Sequence, residues 1–189
     1  MKKLTVFLIC LCLLQVTALC QQENCKNILK VEPFSIFTGN ITLGYEKRIN
    51  PYFGWDFYLG LAGIQMPYHK FDERGIFLST GPKYTLRPDL STPNCVGWYV
   101  RPELTIGRFE KRTVSDGKVE DKPEYFGALI LQYGREQLLW QSLCVDWHFG
   151  VGFSLSQNDS MGYWYRFIRV NDEIPLSFSA GLSIGLHEW

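Results

Sequence analysis

Bulky apolar residues alternate with small or polar ones through most of this chain. In residues 138–156, LLWQSLCVDWHFGVGFSLS, the register that begins at Leu139 is mostly bulky and apolar, whereas the register from Trp140 is mostly Ser, Cys, Asp, His and Gly. A period of two places successive side chains on opposite faces of a β-strand. The pattern predicts eight strands, at about residues 28–37, 41–49, 52–63, 75–87, 97–110, 124–134, 139–155 and 174–187.

Two kinds of β-structure produce this alternation. A soluble barrel or sandwich turns the apolar register towards its core, whereas a membrane barrel turns it towards lipid. Strand length favours the membrane barrel, because a tilted strand needs about 9–11 residues to span a bilayer and soluble strands cluster near about 5–6. We therefore predict an all-β fold, an eight-stranded antiparallel up-and-down transmembrane β-barrel.

The links between the strands support the same fold. With the N-terminus on the periplasmic side, the chain returns to that side through short turns, whereas longer links face outwards, which is typical of outer-membrane barrels. The predicted periplasmic turns are Asn50-Pro51, 89–96 and 135–138, and the longer outer links are 64–74, 111–123 and 156–173.

The polar register defines the predicted interior of the barrel. Gly and Ser fill much of it, as a narrow eight-stranded lumen requires, and charges of both signs interrupt them. These charges can pair into a nearly neutral network, which matters because an isolated buried charge is very costly. The predicted lumen polar network consists of Lys30, Glu32, Glu46, Arg48, Asp56, Lys83, Arg101, Glu103, Asp146 and His148.

The N-terminus has the features of a secretory signal. A charged start precedes the apolar run Leu4–Leu14, and small residues suit cleavage before Gln21. Lipidation of Cys20 is the alternative, and Leu19 argues against it because lipoprotein signals place a small residue there. The predicted organisation is a signal peptide at 1–20, an N-terminal lead at 21–27 and the barrel at 28–189.

Charge and cysteine usage narrow the function. The formal net charge is +0 and only 20% of residues are charged, so there is no basic excess for binding nucleic acid. Export implies an oxidising compartment, and Cys25 and Cys95 both fall near the predicted periplasmic rim. A disulfide between them is one hypothesis, and three unpaired cysteines, with Cys144 as the third, is the other.

Three short stretches carry a family resemblance. KVEPFSIFTGNITLGYEKRIN at 30–50, with GIFLSTGPKYTL and VGWYVRPELTIGRF further on, resembles a family of small, functionally uncharacterised outer-membrane β-barrels of Bacteroidota. The resemblance implies an eight-stranded barrel, location in the outer membrane of a Gram-negative bacterium, and no assigned activity. With the predicted signal, the protein would reach that membrane after signal-peptide cleavage. One departure is the terminal aromatic residue, since Trp189 lies one residue out of phase with the outward Ile184 and Leu186.

Candidate chemistry in the polar register is sparse. Asp146 and His148, with Ser142 and Ser154 nearby, could form a hydrolytic group. A spacing of two along one strand does not orient an acid behind an imidazole, however. The GxSxG pattern at residues 181–185 lies within a predicted strand, not at the strand-to-helix elbow that exposes such a serine. The three histidines lack metal-ligand spacing. We therefore predict no catalytic residues, no cofactor and no metal site.

The sequence predicts a non-enzymatic structural or interaction protein of the outer membrane. The alternatives are a lipid-modifying barrel enzyme that uses His148 and a soluble lipocalin-like periplasmic carrier with an apolar cavity. Expected partners are outer-membrane lipid and lipopolysaccharide, the outer-membrane assembly machinery, and a protein or glycan at the outer loops. The stretch 162–167, GYWYRF, is either such a contact surface or an interfacial continuation of the strands.

Overall fold

A single antiparallel sheet organises the computed structural model, which describes residues 27–63, 73–91, 96–115, 118–140, 142–156, 166–169 and 175–187. Its strands are β1 Ile28–Val31, β2 Asn40–Asn50, β3 Phe53–Ala62, β4 Glu73–Pro88, β5 Gly97–Ser115, β6 Lys118–Trp140, β7 Leu143–Ser156, β8 Ile168–Arg169 and β9 Leu176–His187. A 3₁₀ helix, Pro33–Thr38, follows β1. None of the described helical residues forms a helix long and apolar enough to cross a membrane.

The sheet closes into a barrel of eight strands. Strands β1 to β7 pair in sequence order, β7 pairs with β9, and β9 pairs back with β1. The two-residue β8 adds only the pairs Ile168↔Phe178 and Arg169↔Ser177 beside β9. The prediction of a closed, eight-stranded antiparallel up-and-down barrel is confirmed.

Two predicted boundaries were wrong. The first strand ends at Val31 instead of residue 37, because Pro33 at the start of the 3₁₀ helix has no amide to donate to a ladder. The helix ends at Thr38 and is capped by Gly39, which has a left-handed φ of 75°. The predicted turn at 135–138 is instead part of β6, where Glu136 lies opposite Asp146, because no strong turn residue interrupts the strand there.

The predicted outer link 111–123 was too long. Strands β5 and β6 continue into it as a hairpin and pair as far as Ser115↔Lys118. Its residues are mostly polar, so apolar alternation does not mark them, and backbone pairing extends the two strands. We call this end of the barrel the hairpin end, and the end with the β2–β3 turn at Pro51 and Tyr52 the turn end.

The apolar register lies on the outer wall of the barrel. Many of its side chains are at least 43% exposed, and they come from β1 to β7 and β9: Leu29, Ile41, Leu43, Phe57, Leu59, Leu61, Ile76, Leu78, Leu104, Ile106, Leu129, Leu131, Phe149, Val151, Phe153, Phe178 and Leu186. The opposite register points inwards and is buried. The barrel therefore has the reverse polarity of a soluble protein, in which apolar side chains form the interior.

A group of apolar side chains fills the interior near the hairpin end. This phenylalanine cluster consists of Phe77, Phe109, Phe126, Ala128, Ile130 and Phe167. The ring of Phe126 lies 6.2 Å from that of Phe109 and 6.0 Å from that of Phe167. The Phe77 ring covers Gly60, where an added Cβ would lie 2.0 Å from a ring carbon. The cluster fits inside the barrel only because glycine faces it.

This close approach gives a stability prediction. We expect Gly60→Ala to lower the free energy of unfolding by about 1–3 kcal/mol, because the buried Phe77 ring must move to admit a methyl group. Gly127→Ala is the matched control, since a Cβ there would meet only the Thr105 carbonyl oxygen, at 3.8 Å. Equilibrium urea unfolding measures both variants. Equal destabilisation of the two would contradict the proposed packing.

Candidate functional site

The structure places all ten side chains of the predicted lumen polar network inside the barrel. None of the ten residues is more than 8% exposed. They come from β1, β2, β3, β4, β5 and β7, with Glu32 just beyond the end of β1. Residues far apart in sequence therefore share one enclosed volume, in which water does not screen their charges.

Lys30 lies among four carboxylates. Its Nζ is 2.5 Å from Glu46 Oε2, 2.7 Å from Asp146 Oδ2, 3.7 Å from Glu136 Oε2 and 4.0 Å from Asp56 Oδ2. Oxygen atoms of Glu46, Asp56 and Asp146 lie within 4.8 Å of one another, an arrangement that could hold a cation. The ammonium group of Lys30 already supplies that positive charge. The geometry therefore fits an internal ion cluster better than a metal site.

A second group of ion pairs lies towards the turn end and includes a residue that the sequence analysis missed. Glu136 is 1% exposed and forms ion pairs with Lys83 and with Arg48, whose Nη2 lies 2.9 Å from Glu136 Oε2. Lys83 Nζ is also 2.8 Å from Glu46 Oε2. Because residues 135–138 were predicted to form a turn, Glu136 was not assigned to the interior. It lies on the same face of β6 as the buried Gln132, four residues away, and this shared face could have identified it.

Arg101 lies at the centre of a third group. Its guanidinium forms an ion pair with Asp56, donates from Nε to Gln132 Oε1 at 2.8 Å, and donates from Nη1 to the Tyr58 hydroxyl at 3.2 Å. Glu103 Oε2 lies 3.4 Å from Nη2. Arg101 is fully buried, so these contacts replace its hydration shell. Tyr58 and Gln132 were also absent from the predicted network.

Arg166 enters the barrel from the link between β7 and β9. Its Nη2 is 2.8 Å from Glu32 Oε1, its Nη1 is 3.1 Å from Glu103 Oε2, and its guanidinium carbon is 3.9 Å from the centre of the Tyr58 ring. Its φ of 73° is unfavourable for a residue with a side chain, at a cost of about 1–3 kcal/mol. The ion pairs and the cation–π contact offset that cost.

The stretch 162–167, for which the sequence left open a contact surface or an interfacial continuation of the strands, ends in two residues that point into the barrel. Arg166 is 7% exposed, and Phe167 is 1% exposed within the phenylalanine cluster. Residues 162–165 lie outside the described part of the chain. A single inward-pointing arginine in a non-repeating link carries no periodic signal, so pattern analysis could not detect it.

The hydrolytic Ser–His–Asp alternative does not fit the geometry. Both carboxylate oxygens of Asp146 accept other bonds, one from Lys30 and one from the Tyr99 hydroxyl at 2.6 Å. Ser154 pairs with Ser177. Neither ring nitrogen of His148 has a hydrogen-bond partner among the described residues. The group therefore lacks both the acid–imidazole and the imidazole–serine bond that such catalysis requires.

Several predicted features lie outside the described residues. They are the signal peptide at 1–20, Trp189, and both members of the predicted disulfide, Cys25 and Cys95. The disulfide therefore stays a prediction. Cys144 is a free, fully buried thiol in β7.

The interior charges nearly balance. Counting the buried Arg166 and Glu136 with the predicted residues, the described interior holds five bases and six acids. Each base contacts at least one acid. Such a network satisfies buried charges that would otherwise be prohibitive. Its geometry fits a structural role inside the barrel, and the predicted absence of a catalytic, cofactor or metal site stays a prediction.

Known proteins resemble this one only in structure. No protein-family model and no curated protein matches the sequence. The N-terminal β-barrel domain of Pseudomonas aeruginosa OprF is 10% identical with a TM-score of 0.49, and the comparison covers 89% of this chain and 100% of that one. Ail, the attachment invasion locus protein of Yersinia pestis, is 11% identical with a TM-score of 0.45, covering 86% and 95%. Neisserial surface protein A is 11% identical with a TM-score of 0.46, covering 87% and 94%. These values establish neither a family nor a shared activity.

The buried network predicts unequal effects for two arginines of β5. We expect Arg101→Met to lower the free energy of unfolding by about 3–5 kcal/mol, because it leaves Asp56 buried with its main partner removed. Arg108→Met is the matched control, since Arg108 pairs with Glu110 on the surface, where both side chains are about half exposed, and should cost about 0–1 kcal/mol. Denaturant unfolding measures the difference, and similar effects for the two variants would refute the network's structural role.

Proposed function

We propose that the protein is an integral outer-membrane β-barrel of a Gram-negative bacterium, exported by a cleaved signal peptide, with a non-enzymatic structural or interaction role. The observation that carries the proposal is the reversed polarity of the barrel wall. Leu59 and Leu129 are about half exposed, whereas Arg101 and Asp146 are fully buried. An exterior of this composition is stable in hydrocarbon, and closure of the sheet satisfies the backbone groups that lipid cannot.

Aromatic residues near the turn end support insertion into a bilayer. The ring of Trp98 lies 5.2 Å from that of Tyr133 and 5.3 Å from that of Trp147, and the guanidinium of Arg135 lies 5.2 Å from the Trp98 ring. Tryptophan, tyrosine and basic residues are enriched where a membrane protein meets the lipid headgroups. This group is therefore suited to the periplasmic interface.

The soluble-carrier alternative is inconsistent with the interior. A lipocalin-like carrier needs an apolar cavity inside the barrel. Here the apolar register faces outwards, and ion pairs and the phenylalanine cluster occupy the described interior. The lipid-modifying enzyme is also disfavoured, because His148 has neither an acid nor a serine partner among the described residues. A structural or interaction role is the reading that these side chains support best.

The hairpin end is the proposed contact surface. Strands β5 and β6 extend past the apolar band, and Arg108 and Glu110 are exposed there. This end faces outwards in the proposed orientation, so a protein or glycan could approach it. Lipopolysaccharide would surround the wall, and the outer-membrane assembly machinery would insert the barrel. Membership of the Bacteroidota barrel family remains part of the proposal.

Insertion predicts that the cost of a charge depends on its depth. In barrels folded into phospholipid vesicles, we expect Leu131→Arg to lower the free energy of unfolding by about 2–4 kcal/mol, because Leu131 lies midway along the apolar wall, and Tyr125→Arg near the hairpin end to cost about 0–1 kcal/mol. Recovery of the wild-type protein from cells in the soluble fraction without detergent, or equal costs for the two variants, would contradict the proposal.

The filled interior predicts a barrel that does not conduct ions. Passing from the turn end, an ion would meet Lys83 and Glu136, then Arg101, then the phenylalanine cluster. We expect the purified protein to produce no stable single-channel current in planar bilayers. Reproducible open-channel steps would show that a continuous aqueous path crosses the barrel.

A further inference from the structure

The wall of the barrel changes its construction where β1 meets β9. Strand β1 has only four residues and pairs with β9 through Ile184 to His187. Further towards the hairpin end, β8 pairs with β9 at Phe178 and Ser177. Between these two registers the 3₁₀ helix Pro33–Thr38, rather than a strand, lies against β9. The seam is therefore closed by side-chain packing instead of a β-ladder over this interval.

A small cavity lies at this seam and joins the two faces of the wall. The space open to the centre of a water-sized sphere is about 30 Å³, more than the roughly 10–15 Å³ that one water molecule needs by that measure. The exposed Phe34 and the half-buried Leu182, both on the outer wall, contribute to its lining. Glu32, His148 and Arg166 line the same cavity from the interior. A group in the cavity can therefore touch the polar lumen while it remains attached to a molecule outside the barrel.

His148 gives the cavity its chemical character. It is 2% exposed, and neither Nδ1 nor Nε2 has a hydrogen-bond partner among the described residues. A buried imidazole without a carboxylate partner is favoured in its uncharged form, which offers one donor and one acceptor. Leaving both unsatisfied is costly. A ligand group that both donates and accepts a hydrogen bond would satisfy the ring.

The surrounding charges disfavour an ionic ligand. Arg166 lines the cavity and would repel a cation, whereas the carboxylate of Glu32, 2.8 Å from Arg166 Nη2, would repel an anion. Glu103 also compensates Arg166 from the interior. A neutral hydroxyl group matches the volume, the charge balance and the hydrogen-bonding needs of His148.

We propose that this seam cavity binds the hydroxyl group of a neutral, membrane-dissolved amphiphile, which enters sideways between the 3₁₀ helix and β9 and hydrogen-bonds to His148. Its hydrocarbon chain remains outside, against Phe34 and Leu182. The proposal rests on the proposed function, because sideways entry requires the wall to face lipid. It assigns a binding site to the seam and no chemical reaction.

The test uses the mature barrel, labelled with ¹⁵N at histidine and reconstituted in phosphocholine vesicles, with dodecan-1-ol as the probe and dodecane as its hydroxyl-free counterpart. Solid-state NMR reports the ring nitrogens, and the His148→Leu variant identifies the His148 signals by their loss. We expect a saturable shift of both His148 nitrogens with dodecan-1-ol and no shift with dodecane. Leu182→Trp should abolish the response by covering the entrance. Leu186→Trp, at a 58% exposed position on the same strand that does not line the cavity, should preserve it.

The outcomes separate this site from the membrane proposal. A barrel that folds and inserts but shows no alcohol-dependent shift holds an ordered water only, and the binding site is refuted while membrane insertion stands. Equal shifts with dodecane, or an unchanged response in Leu182→Trp, would also overturn it. Failure of the barrel to insert into vesicles would instead refute the proposed function.

Discussion

Closure of the sheet between β1 and β9 is the constraint on which the rest of the structure depends. Once each of the eight barrel strands has two neighbours, alternate side chains must enter an interior that is too narrow for bulk water. Charges placed there need partners from other strands, because an isolated buried charge is very costly. The opposite register is forced outwards, where its apolar side chains are stable only against hydrocarbon or another apolar surface.

The ion network in turn strengthens the closure where backbone pairing is shortest. Strand β1 contributes only four residue pairs to each neighbour. Its one buried charge on that stretch, Lys30, contacts Glu46 on β2 and Asp146 on β7, a strand that does not pair with β1. These contacts depend on register, since a slip of one residue would turn Lys30 towards the exterior. The network therefore specifies which strands meet as well as neutralising their charges.

Residue parity was sufficient to predict the fold and much of the interior, because the two-residue period is a local property of the sequence. Parity failed at positions where contacts between residues distant in sequence decide which side chains enter the interior. Phe77 can point inwards only because Gly60 faces it across the neighbouring strand, and that pairing is unknown until the register is known. Arg166 has a left-handed backbone conformation and forms ion pairs with Glu32 and Glu103. A single such residue produces no repeating pattern in the sequence. Glu136 was concealed by the misplaced turn.

The distribution of polar contacts separates the parts of the barrel that hold it together from the parts that can serve another purpose. Arg101 has partners on both β3 and β6, so changing its surroundings to bind a ligand would sacrifice stability. His148 lies in the same interior without a hydrogen-bond partner among the described residues, beside the one interval where a 3₁₀ helix replaces a strand in the described wall. Retaining a polar ring at that position costs stability unless a partner reaches it. The seam is thus the interior position at which ligand binding would complete the polar contacts instead of competing with them.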